Sequence, residues 1–167
     1  MAADSAGSHM ANVAFDKYVA FCESYVEGSD RALATITAHG PTEKVLADAY
    51  ELACIRRKWA LWIPADTDGK LQKFEKALRE IGASAHYIEV TRADPKAAAR
   101  EEMIDRMYRS FYAVVGLGEW KGEKVNDEAA HTSLILWLRR VLGTEQFDTL
   151  RKAVIARAVA EFSASQQ

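Results

Sequence analysis

Trp59-Ala60-Leu61-Trp62-Ile63-Pro64 and His86-Tyr87-Ile88-Glu89-Val90-Thr91 are the two stretches on which the fold class turns. Each is short and rich in apolar, aromatic or β-branched residues, and runs of this length fit a buried strand or a turn of buried helix equally. Between them, Asp66-Thr67-Asp68-Gly69 has turn and cap chemistry, Leu71, Phe74, Leu78 and Ile81 recur at helical spacing, and Gly82 stands where a helix would close. One reading is therefore strand, helix, strand, a small two-stranded sheet over about residues 59-64 and 85-91. The other continues the preceding helix through Trp59 and Trp62 until Pro64 stops it. The turn chemistry at Asp66 to Gly69 favours the first.

Around this stretch the pattern is helical. Phe15, Tyr18, Val19, Cys22, Tyr25 and Val26 form one face, with Asn12 placed to cap it and Gly28 to stop it. Ser29-Asp30 starts a shorter helix that Gly40-Pro41 ends. Thr42 and Glu43 open a helix whose inward positions are Val45, Leu46, Ala49, Leu52 and Ala53. Asp94-Pro95 opens another, with Ile104, Met107, Tyr108, Phe111, Val114 and Val115 along one side. A glycine-rich loop with Trp120 runs from Gly116 to Asn126. From Asp127 a helix turns His131, Leu134, Ile135, Leu138, Val141 and Leu142 inward. After Gly143-Thr144 a last helix places Phe147, Leu150, Val154, Ala158 and Phe162 together. The expectation is a mainly α, compact helical domain of about six to seven helices, with the small sheet as its one β element.

At 167 residues, 49% hydrophobic and 28% charged, the chain has the size and composition of one globular domain. Gly7-Ser8-His9-Met10 has the look of an expression-vector remnant, so residues 1-9 are set aside, 10-163 are taken as a single domain and 164-167 as a frayed tail. A net charge of −2 argues against the global basicity of a nucleic-acid coat protein. Cys22 and Cys54 lack the spacing of a zinc site or a disulfide framework, which points to a reducing, cytoplasmic compartment. No run approaches the ~20 apolar residues of a membrane span.

The sharpest chemical signal is Arg56-Arg57-Lys58-Trp59-Ala60-Leu61-Trp62, where a run of cations adjoins two indoles, a combination able to hold phosphates while bases stack. The competing account makes Trp59 and Trp62 core residues and the cations a solvated helix end that complements the macrodipole. Trp120, with Lys121 beside it, is a large ring in a polar loop and a candidate anchor for a protein partner. Glu101, Glu102 and Asp105 read as helix-surface acids paired with Arg106 and Arg109, and the mixed charges from Lys70 to Arg79 read the same way. His39, His86 and His131 pair with nothing at metal-ligand spacing, and His131 falls on an apolar face. Gly116 to Gly122 fits no nucleotide fingerprint. No metal or cofactor is expected.

Three functional readings follow. The first is a small intracellular protein-interaction or regulatory protein, a subunit or modulator of a larger assembly, resting on the lack of a catalytic constellation. The second is a nucleic-acid-binding protein using Arg56, Arg57 and Lys58 with Trp59 or Trp62. The third is an enzyme acting on a small or phosphorylated substrate near the strand ends, Asp66 and the Asp68-Gly69 turn. A homodimer is compatible with any helical face more apolar than its own core requires.

Overall fold

The computed structural model describes residues 2–40, 42–90, 97–115, 118–122, 127–147, 149, 152–153 and 155–156. It contains five principal helices: α1 (Ala2–His39), α2 (Val45–Lys58), α3 (Ala65–Val90), α4 (Ala97–Val115) and α5 (Asp127–Leu142). Helical residues recur at 145–147, 149, 152–153 and 155–156. Consecutive helices pack in a ring, α1 on α2, α2 on α3, α3 on α4 and α4 on α5. The ring closes through α5 on α1, and α3 also touches α5. One apolar cluster runs through all five, from Phe21 and Tyr25 through Leu52, Leu71, Phe74 and Leu78 to Phe111, Leu134 and Leu138. Burying such large side chains is what holds helices of modest intrinsic stability together. The expected face of α3, Leu71, Phe74, Leu78 and Ile81, is fully committed to it.

The small sheet is not there: no described residue is in a strand. α2 ends at Lys58, and the Trp59 N–H shares the carbonyls of Ile55 and Arg56 at 3.3 Å while the Trp62 N–H bonds Trp59 O at 2.8 Å. These short-range bonds wind residues 59–62 into turns, so their backbone offers no extended edge to a second strand. Pro64 then sits immediately before α3, which runs unbroken past Gly82 and takes residues 85–90 into the same helix. Tyr87 and Val90 are exposed there, so strand-forming side chains do not mark a buried strand. Thr91 lies outside the described residues, as do Asp94 and Pro95, part of the Gly116–Asn126 loop, Leu150, Val154, Ala158, Phe162 and the 164–167 tail.

Gly28 is likewise no stop. α1 continues through it to His39, and begins before Asn12, which lies inside the helix. Both glycines serve close helix approach. A Cβ on Gly28 would stand 2.9 Å from Leu52 Cδ2, and one on Gly82 would stand 2.6 Å from Leu46 Cγ and 3.0 Å from its backbone nitrogen. α2 thus lies in two notches, one on α1 and one on α3. Turn-forming residues do hold elsewhere: the Thr42 hydroxyl accepts from Lys44 N–H ahead of α2.

Candidate functional site

The basic segment divides when folded. Arg56 turns inward, its side chain only 11% exposed, against Glu75 at 0%. Its Nε and one terminal nitrogen donate to the two Glu75 oxygens at 2.8 and 3.0 Å, and the other nitrogen donates to Asp68 Oδ1 at 2.7 Å. The Tyr25 hydroxyl donates to Glu75 Oε1 at 3.2 Å, and Gln72 donates to the remaining Asp68 oxygen. Bidentate pairing of this kind satisfies a carboxylate that burial would otherwise make costly. The hydrogen bonds to Glu75 hold the Arg56 guanidinium above its ordinary proton affinity, and burial beside Glu75 raises the Tyr25 phenol well above its usual value. Arg56 is therefore occupied within the α1–α2–α3 junction.

Arg57 and Lys58 remain at the surface, and Trp59 and Trp62 are both half-buried. Lys58 and Lys17 place their ammonium groups 5.3 and 5.9 Å from the Trp59 ring centre. Such cation–π contacts compete with any base for the indole. Trp120 is partly buried and stacks on Tyr108 at 4.8 Å with 22° between the rings, while Lys121 is exposed. The expected anchor thus already has an internal ring partner.

A concavity of about 530 Å³ lies along α1 and α5. The helices run antiparallel there, since Asp30 meets His131 at 3.0 Å at one end and the Tyr18 hydroxyl donates to Leu142 O at 2.7 Å at the other. Its apolar floor comes from Val26, Ile135, Leu138 and Leu142. Along the α1 edge stand Glu23, Glu27 and Asp30, at spacings of four and three that put them on one stripe. Glu23 and Glu27 are exposed and form no ion pair with any described residue. His131 is 52% exposed at the far end rather than turned into the core, because Ala130 takes the buried position one residue earlier. Burial pushes the Cys22 thiol, beneath the groove, up to about 11.

No family model, curated protein or solved structure matches this chain. Its chemistry is therefore read from side chains alone. Among the described residues no group of three or more His, Cys, Asp or Glu could hold a metal ion. The histidines are dispersed, with His86 paired to Glu43 at 2.9 Å and His131 to Asp30. Asp66 pairs with Lys70 and Asp68 with Arg56, so with no strand beside them these acids serve the first turns of α3. Arg106 and Arg109 do pair with Glu102 and Asp105 as the spacing predicts. Within the described residues no helix is long and apolar enough to cross a membrane.

Sequence reasoning took Glu75 for a surface charge and missed the acidic α1 edge of the α1–α5 groove. The signal for Glu75 was present: it shares a helical stripe with Leu71, Phe74 and Leu78, a charged residue at a core position. The groove carried no such signal, because it depends on which two helices become neighbours.

Proposed function

We propose that the protein is an interaction module whose α1–α5 groove receives one helix of a protein partner, apolar on one side and basic on its flank. The observation that carries this reading is an apolar floor of Val26, Ile135, Leu138 and Leu142 bordered by the exposed carboxylates of Glu23 and Glu27, which pair with no cation among the described residues. From His131 to Leu142 the groove extends about 16 Å along α5. That length takes some three turns of a partner helix, with anchors at i, i+3 or i+4 and i+7. The floor supplies affinity by removing apolar surface from water, and the acidic edge selects orientation and speeds encounter. A regulatory or subunit role accords with such a surface.

Selection from a displayed library of randomised helical peptides tests this directly. Enriched sequences should carry an apolar stripe flanked by Lys or Arg, and should lose binding to the Ile135→Asp protein. Charge reversal at Glu23 and Glu27 should weaken them mainly through slower association. Enrichment of acidic peptides, or undiminished binding to Ile135→Asp, would count against the reading.

A further inference from the structure

A second concavity, of about 780 Å³, opens between α2 and α3 on another part of the surface, and its chemistry is opposite. Arg57 from α2 and Lys73, Lys76 and Arg79 from α3 line it with Gln72 and Tyr50, and no carboxylate of the described residues belongs to the lining. In a chain of net charge −2 this is a marked segregation of sign. The spacing explains it: positions 73, 76 and 79 recur every three residues, so α3 presents them as one outer stripe while Glu75 is turned to the core. Arg57, Lys73 and Arg79 have no ion pair with any described residue, and Lys76 approaches Glu80 only at 3.6 Å. Arg56, beneath them, is held by Glu75 and Asp68 and cannot swing out without leaving a buried carboxylate unpaired. The floor is thereby fixed, while Arg57, Lys73 and Arg79 above it hold no carboxylate among the described residues and Lys76 has only a solvent-exposed pair to give up.

We infer that this α2–α3 groove binds a compact ligand bearing two or more linked phosphate groups. Converging cations concentrate negative charge more effectively in a concave site than along an open face. The volume falls in the range of small-molecule sites, ~300 to 1,000 Å³. An extended nucleic-acid strand is less well served, because a strand needs successive stacking rings and, among the described residues, Tyr50 alone brings an aromatic ring to the lining. Tyr50, 68% exposed, stands ready instead to lie against a single base or other flat group carried by the phosphates. This site is separate from the α1–α5 groove and does not depend on it.

Titration calorimetry with inorganic tripolyphosphate at about 50 and 200 mM salt supplies the test, the range over which phosphate contacts reveal themselves. The expected result is saturable binding that weakens with salt and falls about tenfold or more in the double variant Lys73→Gln, Arg79→Gln. A control of equal charge loss on α4, Arg106→Gln with Arg109→Gln, should bind as the wild type does. All four positions are exposed, and circular dichroism melting confirms that each variant is folded. Absence of binding at the lower salt, equal loss in the control, or no loss in the groove variant overturns the inference. It is also overturned if a single-stranded oligonucleotide binds the groove and tripolyphosphate fails to displace it.

Discussion

Gly28, Gly69 and Gly82 all lie inside helices, yet alanine should act differently at each. Gly69 has nothing within 4 Å of a built Cβ, so Gly69→Ala should stabilise the protein by up to about 1 kcal/mol through helix propensity. At Gly82 the new methyl meets Leu46 backbone as well as side chain, and the clash should exceed that gain, leaving a net loss of about 1 to 3 kcal/mol. At Gly28 only the tips of Leu52 and Ile55 must give way, so the loss should be smaller. Urea midpoints of the three variants check the order, and equal effects at Gly28 and Gly82 would show that backbone approach is not the deciding term. Arg56 offers a second test. Arg56→Met strips Glu75 of its cation at 0% exposure and should cost about 3 to 5 kcal/mol. Adding Glu75→Leu should recover a good part of that loss, because two apolar groups no longer ask for partners. A double variant as unstable as the sum of its parts would mean the pair is not coupled.

Whole elements were legible where the cause is local. The inward face of α3 and the break at Pro64 follow from periodicity and from proline's missing donor, whereas the end of α2 at Lys58 is one of two readings the sequence leaves open. The sheet and the two glycine stops were misread because short apolar runs and glycines have more than one use, and the use is chosen by a neighbouring helix. Leu46 and Leu52 decide what Gly82 and Gly28 are for, and they lie on a different element. The same holds for the site: with Gly28 read as a stop, Glu23 and Glu27 fall on a different helix from Asp30, and nothing along α1 says that α5 would supply a floor beside them. The α1–α5 seam has a pH dependence of its own. Burial raises the Tyr18 phenol from 10.0 to about 12 and the Cys22 thiol from 9.0 to about 11. Both protonated forms are thus favoured in the folded chain, so their contribution is complete below pH 9 and declines as pH rises toward 11 and 12. Tyr18→Phe should cost about 1 kcal/mol at neutral pH by losing the bond to Leu142 O. It should also make the alkaline fall in urea midpoint shallower than in the wild type. An equally steep fall would remove Tyr18 from the account.

For the whole molecule, α1 sets a stability gradient. At 38 residues it is about 57 Å long, against about 24 Å for the 16 residues of α5, so it cannot be covered along its length by the shorter helices. Among its described side chains the fully buried positions begin at Phe21, and Phe15, stacked edge-on against Phe147 at 5.4 Å, is an early tertiary contact along it. From His9 to Asn12 every side chain is exposed. A helical stretch without a packed face has only propensity to hold it, and short isolated helices are marginal in water. The core behaves differently, since a single cluster includes residues of all five helices and removing any one would uncover the others. Fluorescence from Trp59, Trp62, Trp120 and Trp137 should therefore report the same denaturation midpoint as far-ultraviolet circular dichroism over the main transition. Amide hydrogen exchange should separate the two regimes. Amides ahead of Phe15 should exchange by local fraying far faster than those around Leu52, Phe74 and Leu78, which should need global unfolding. Core-like protection ahead of Phe15 would mean that the first turns of α1 are packed against something, and the gradient would have to be abandoned.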